Sequence, residues 1–153
     1  MQTSAPIIRI SVRDQRIELV AGDSVLSSYP ISTSRFGLGS EEGSMKTPLG
    51  KFKIGEKIGA GVPSGTVFRG RVPLGPDEAP PPTDDRILSR ILWLDGLEEH
   101  NANTRQRYIY VHGTNHEDEI GQPASHGCIR MRNADLIALF DQVPLGAQVV
   151  IET

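Results

Sequence analysis

Cysteine is almost absent from this chain of 153 residues: Cys128 is the only one. An internal disulfide is impossible, and nothing in the composition marks an oxidising compartment. Long apolar runs are missing as well. No stretch approaches the roughly 20 apolar residues of a membrane-spanning helix. The first residues, Met1 to Pro6, have neither the basic start nor the apolar middle of a secretory leader. The expectation is a cytoplasmic protein with no membrane partner; a periplasmic site would follow only if a leader had been removed. Excess positive charge is also lacking. A net charge of −3 gives no footprint for nucleic acid. No internal repeat is present. The length fits a single domain over residues 1–153 with a real core, and leaves the oligomeric state open.

What is there centres on Ser125-His126-Gly127-Cys128-Ile129-Arg130-Met131. A thiol attacks well only as thiolate, and a free cysteine is mostly protonated near neutral pH. Cys128 therefore needs a base. His126 stands two residues before it, and His112 sixteen before it, at the end of the strand-like run Tyr108-Ile109-Tyr110-Val111. Both are candidates. Gly127 leaves backbone N–H groups uncovered beside the sulfur, as an oxyanion hole for acyl transfer requires. Gly113 frees the carbonyl after His112 for close contact with the imidazole. The opposing reading is a small buried cysteine and packed histidines. The polar and charged neighbours of Cys128 argue against it. A zinc site is the other rival, since His112, His116, His126 and Cys128 are all acceptable ligands. Gly113 argues against a helix presenting His112 and His116 together, and no second cysteine completes a common structural set. No metal and no cofactor are expected.

Two segments carry a family resemblance. Tyr110-Val111-His112-Gly113-Thr114, followed by Ser125-His126-Gly127-Cys128-Ile129-Arg130, resembles the signature of the L,D-transpeptidase catalytic domain, the YkuD-type family of peptidoglycan enzymes. Thr47-Pro48-Leu49-Gly50-Lys51-Phe52 resembles that family's Thr-Pro-x-Gly-x-Phe segment. The likeness runs from about Ile7 to Ile151. Many members have asparagine two residues after the cysteine; this chain has Arg130.

The resemblance implies Cys128 as nucleophile and His112, not the nearer His126, as general base and then acid. It implies that Gly113 orients His112 through its carbonyl, as third member of a Cys-His arrangement. The amides of His126, Gly127 and Cys128 would line the oxyanion hole, and Ser125 and His126 would shape the loop. Arg130 would either bind a substrate carboxylate or brace the loop through backbone carbonyls. The implied donor is a peptidoglycan tetrapeptide stem or muropeptide, cut between its third residue, often meso-diaminopimelate, and terminal D-alanine. Water as acceptor gives L,D-carboxypeptidase hydrolysis, the reaction expected of a cytoplasmic recycling enzyme. An amine gives L,D-transpeptidation, either 3-3 cross-links or D-amino-acid exchange. A binding module without catalysis is the non-enzyme alternative.

Periodicity outlines the fold. Ile7 to Arg13 and Arg16 to Val20 read as a hairpin, Val25 to Ile31 as a third strand whose Pro30 marks an edge or an end. Ser32 to Lys46 reads as a long loop, either plain surface or the rim of a cleft. Thr47 to Gly50 reads as a turn, Phe52 to Ile54 as a strand, and Gly59 to Pro82 as a poorly ordered excursion or a substrate lid. Ile87 to Leu94 is apolar enough for a buried strand, ended by Asp95-Gly96. Glu98 to Asn101 reads as a polar loop with His100 exposed. Asn133 can cap a helix in which Leu136, Leu139, Phe140 and Val143 form one apolar face, stopped by Pro144 and Gly146. Ala147 to Ile151 is a last strand. This is a mainly β chain; the resemblance implies a β-sandwich-like domain with one clear helix after the cysteine loop.

Overall fold

Strict alternation of apolar and polar residues builds the first hairpin. In β1 (Ile7–Ser11) Ile8 and Ile10 are buried while Arg9 between them faces water, and β2 (Arg16–Ala21) repeats this with Ile17 and Leu19. The computed structural model describes residues 5–78 and 86–153. Beyond the hairpin come β3 (Ser24–Ser32), β4 (Gly50–Ile58), β5 (Val67–Arg69), β6 (Val72–Pro73), β7 (Ile87–Gly96), β8 (Tyr110–Gly113), β9 (Ile129–Met131), helix α1 (Asn133–Gln142) and β10 (Gln148–Glu152). Short 3-10 turns lie at Pro76–Glu78, Glu99–Asn101 and Glu117–Glu119.

The strands pair in the order β4-β10-β1-β2-β3-β9-β8-β7, and β4 also pairs with β7. That last pairing closes the sheet into a barrel, so the eight strands of the ring present no long bare edge. The small β5–β6 hairpin extends outward from β7. Two pairs are parallel, β1 with β10 and β8 with β9. The mainly β, sandwich-like expectation thus holds, with closure added. Helix α1 contributes Leu136, Leu139, Phe140 and Val143 to the same core as Phe52, Leu94, Val111, Ile129 and Met131. Pro30 falls where β3 has β2 on one side only, because β9 pairs with Ile31 and Ser32 alone.

Several elements differ from the sequence reading. β4 is nine residues long and begins at Gly50, and Thr47 makes an isolated bridge with Leu38 instead of sitting in a turn. The excursion after Gly59 is not a structureless loop through its first part. β5 and β6 form a hairpin in it, with Val67 and Phe68 buried. Strands of three and two residues are too short to show alternation. Pro80 to Pro82 lie outside the described residues. Asp95 and Gly96 are the last residues of β7. Glu98 to Asn101 is a capped 3-10 turn, and Asn101 is buried, donating to Leu49 O and Lys51 O. His100 is exposed, as expected. Asn133 is not the helix cap: Arg132 holds that place, without a side-chain bond. Asn133 is the first helical residue, and its N–H is taken by the Glu117 carboxylate at 2.7 Å.

The helix is therefore held at both ends by charge. Glu117 sits at its N-terminus. At the other end Lys57 Nζ, reaching across from β4, donates to Phe140 O and Val143 O, both at 2.7 Å. These are the signs that a helix dipole favours. Lys57→Met keeps the apolar stem and removes both bonds. It should lower the unfolding free energy by about 1–3 kcal/mol in urea denaturation. An unchanged midpoint would mean that apolar packing alone holds this end.

Candidate active site

The parallel pairing of β8 with β9 sets Val111 beside Ile129, His112 beside Arg130 and Gly113 beside Met131. Val111, Ile129 and Met131 point into the core. With a side-chain period of two, Tyr110, His112, Cys128 and Arg130 go to the other face. There Phe68, Ile91, Trp93 and Tyr110 form a second apolar cluster, and Cys128 packs against it. His112 and Cys128 line one small cavity of about 150 Å³ with Ile87, Ser125, His126 and Arg130. Five of the seven residues singled out in the sequence thus line one space; the other two, Gly113 and Gly127, are chain neighbours of His112 and Cys128.

His112 is 4% exposed, and its Nδ1 lies 2.6 Å from Gly113 O. A carbonyl only accepts, so Nδ1 carries the proton and Nε2 keeps its lone pair in the neutral ring. A base is left at Nε2. Gly113 is required by space. A Cβ there would lie 2.2 Å from Asn133 Oδ1 and 2.6 Å from Leu88 O. Asn133 is itself fixed, donating Nδ2 to Thr114 O at 3.0 Å and accepting from Ser89 Oγ at 2.6 Å.

The sulfur of half-buried Cys128 accepts from Tyr110 N–H at 3.3 Å, and its thiol donates to Tyr108 O at 3.3 Å. Tyr108 reaches this place with φ +56°. Arg107 lines a neighbouring small cavity with Met45, Ile109 and His126. Burial pulls its guanidinium below the ordinary arginine value, opposed by the nearby Cys128 and Glu42. It stays charged at neutral pH. A fixed cation near the sulfur favours thiolate. Sequence reasoning missed Arg107, and no motif marks it.

The cysteine loop is tied from several sides. Ser125 Oγ donates to Cys128 O at 2.6 Å and accepts from Gly127 N–H at 3.3 Å. The Gly127 amide thus serves the loop, and an oxyanion role for it requires that bond to be given up. Gly127 has room for a Cβ, whose nearest neighbours would lie at 3.6 Å, but its φ of +127° favours glycine. Buried Thr47 donates Oγ1 to Gly127 O at 3.0 Å and accepts from Ser34 N–H at 2.9 Å. The 33–47 loop therefore backs the cysteine loop. Thr47 was visible only as part of a Thr-Pro segment. His126 is exposed, its ring 5.9 Å from that of Phe36. Arg130 is 2% exposed and pairs with Glu119 at 3.4 Å. It also lines the cavity with His112 and Cys128. His116 sits before the Glu117–Glu119 turn, away from the cavity lining.

Known proteins resemble this chain in sequence and in fold. The family model described as YkuD, the L,D-transpeptidase catalytic domain, matches residues 5–151. The Bacillus subtilis protein named "Putative L,D-transpeptidase YkuD" is 29% identical over 144 residues, covering 94% of this chain and 64% of the relative. The structure of an L,D-transpeptidase from Mycobacterium smegmatis superposes with a TM-score of 0.65 at 17% identity, over 98% of this chain and 59% of the other. An LD transpeptidase in complex with imipenem gives a TM-score of 0.61 at 20% identity, over 97% of this chain and 59% of the other. The chain spans less than two thirds of the length of each of these proteins.

Two substitutions test the scaffold of the site. Gly113→Ala should displace the carbonyl that orients His112 and lower kcat/KM about a hundredfold, while circular dichroism stays that of the folded protein. Thr47→Val strands the Ser34 N–H and the Gly127 carbonyl, and should cost about 1–3 kcal/mol in urea denaturation. It should also change the rate at which iodoacetamide alkylates Cys128. Wild-type values in both measurements would show that Thr47 does not hold the loop.

Proposed function

We propose, for a chain that belongs to the L,D-transpeptidase catalytic domain family, that Cys128 is the nucleophile of a peptidoglycan-modifying enzyme acting on tetrapeptide stems. One observation carries this reading: His112 and Cys128 line the same cavity, with the imidazole held by Gly113 O so that Nε2 is the basic nitrogen. The thiol gives its proton to Nε2 and the sulfur bonds to the carbonyl carbon of the third stem residue. The C–N bond to D-alanine then breaks, and Nε2 returns the proton to the leaving amine. A thioester remains. Water attacks it with Nε2 again as base, the C–S bond breaks, and tripeptide and free thiol result. Tyr110 N–H and the charge of Arg107 support the thiolate.

Water is the acceptor in this proposal. Among soluble muropeptides acceptor amines are scarce and water is plentiful. Soluble muropeptides in the cytoplasm are the proposed substrates, and cell fractionation tests that setting. The second reading, L,D-transpeptidation, is favoured by the names of the relatives. In it an amine of another stem or a D-amino acid resolves the thioester.

The decisive assay incubates the protein with disaccharide-tetrapeptide, with and without excess D-amino acid or acceptor stem, and follows products by mass. Tripeptide with free D-alanine is expected. Dimers or exchange products with little tripeptide would replace hydrolysis by transpeptidation. No turnover, with no mass shift by imipenem on wild type, would overturn the acyl-enzyme reading. Cys128→Ala should be inactive and take no imipenem. His112→Ala should lose roughly 10²–10⁴-fold in rate. Loss on His126→Ala with His112→Ala near normal would move the base to His126.

A further inference from the structure

One arginine beside the site is placed at a conformational cost and is not consumed by the fold. The β5–β6 turn is made by Gly70 at φ +53° and Arg71 at φ +75°, between the paired residues Arg69 and Val72. A two-residue turn with both φ values positive prefers Gly, Asn or Asp, and a long side chain there is disfavoured. The Arg71 guanidinium carbon lies 4.8 Å above the Trp93 ring and 5.5 Å from that of Tyr108. Its Nη1 donates to Tyr110 Oη at 3.1 Å. One of five N–H donors is spent there, while stacking fixes the plane of the fork.

Neighbouring arginines are committed. Arg105 pairs with Glu56 and Asp95. Arg107 donates to Gly39 O, Ser44 Oγ and Lys46 O. Arg130 is buried against Glu119. Arg71 differs in keeping a charged, preoriented fork with donors to spare.

Its position relative to the sulfur gives the ligand. Tyr110 N–H contacts Cys128 Sγ, and Tyr110 Oη holds Arg71, so the fork stands one tyrosine side chain from the sulfur. Tyr110 and His112 follow each other on the outer face of β8, with the arginine at the Tyr110 end. His112 returns its proton to the leaving amine, which places the leaving group at the His112 end. The acyl residue's own side chain is then free to run along exposed Tyr108, whose carbonyl meets Cys128 Sγ and whose ring faces Arg71. An extended side chain of five atoms spans on the order of 6 Å, comparable to tyrosine itself.

We propose that Arg71 binds a free carboxylate at the end of the third stem residue's side chain, and so makes the enzyme select a diacid at that position over a residue ending in an amine alone. This rests on the acyl-enzyme reading above for the direction of the substrate.

The test compares tetrapeptides whose third residue is meso-diaminopimelate, the same residue with its distal carboxyl amidated, or L-lysine. Wild type should prefer the first by about tenfold or more, in KM rather than kcat. Arg71→Gly relieves the positive φ, so its thermal midpoint should not fall. It should lose the preference while cleaving the lysine peptide as wild type does. Arg71→Lys, with charge but no fork, should keep only part of it. Iodoacetamide alkylation of Cys128 should be equal in all three proteins. A preference that survives in Arg71→Gly, or its absence in wild type, overturns the proposal and leaves the acyl-enzyme reading intact. If wild type cleaves none of the peptides and takes no imipenem, that reading fails instead. Arg71 is then judged by binding to Cys128→Ala, read in the emission of Trp93, the only tryptophan. The same order of affinities, lost when Arg71→Gly is added, supports the proposal, and its absence there overturns it.

Discussion

The parallel pairing of β8 with β9 is the constraint on which the rest depends. Its register sets His112 beside Arg130. A slip of one residue would turn Val111, Ile129 and Met131 out to solvent and send His112 into the core. The apolar side chains that fill the barrel therefore fix the position of the polar ones outside it. Chemistry on the outer face inherits its precision from packing on the inner face.

Helix α1 transmits the same constraint from behind. Its apolar face is locked into the barrel core, and its first residue, Asn133, lies against Gly113 with no space for a Cβ between them. The carbonyl that orients His112 is thus trapped between β7 and the helix start. Glu117 and Lys57 hold the two ends of that helix from a turn and from β4. The closing pair β4–β7 then matters for the site as well as for the barrel, because β4 carries Lys57 and β7 carries Leu88 and Ser89.

Much of this was legible in the sequence, and the limits have physical causes. Alternation exposed β1 and β2, a nearly continuous apolar run exposed β7, and the 3.6-residue period exposed the buried face of α1. The family resemblance marked Cys128, His112 and Gly113 as a set, where the residues alone left His112 and His126 both open as base. The reasons for the glycines were not legible. Gly113 is demanded by the approach of Asn133 and Leu88, and Gly127 by its φ, and neither distinction is written in residue identity. Asn133 looked like a cap because caps are its commonest local use; tertiary contacts with Thr114 and Ser89 overrode that preference. Barrel closure through β4 and β7 joins residues some forty apart, beyond any local pattern. Thr47, Arg71 and Arg107 act through partners distant in sequence, so their residue types alone said nothing.

The hydrogen bonds of the sulfur define what activation must accomplish. In the protonated state the thiol gives its hydrogen to Tyr108 O, an acceptor that favours the neutral form. The Tyr110 N–H and the nearby Arg107 charge favour the anion. Those influences oppose one another, so the fold alone does not commit the cysteine to thiolate. In the proposed mechanism His112 decides the balance, because its neutral Nε2 can take the proton only while Gly113 O holds the hydrogen on Nδ1. Protonating His112 at lower pH removes the acceptor for the thiol proton but not the Nδ1 contact. A site organised this way separates stability from the proposed activation: barrel and helix set positions, and a single proton on one buried ring would set whether the proposed nucleophile is armed.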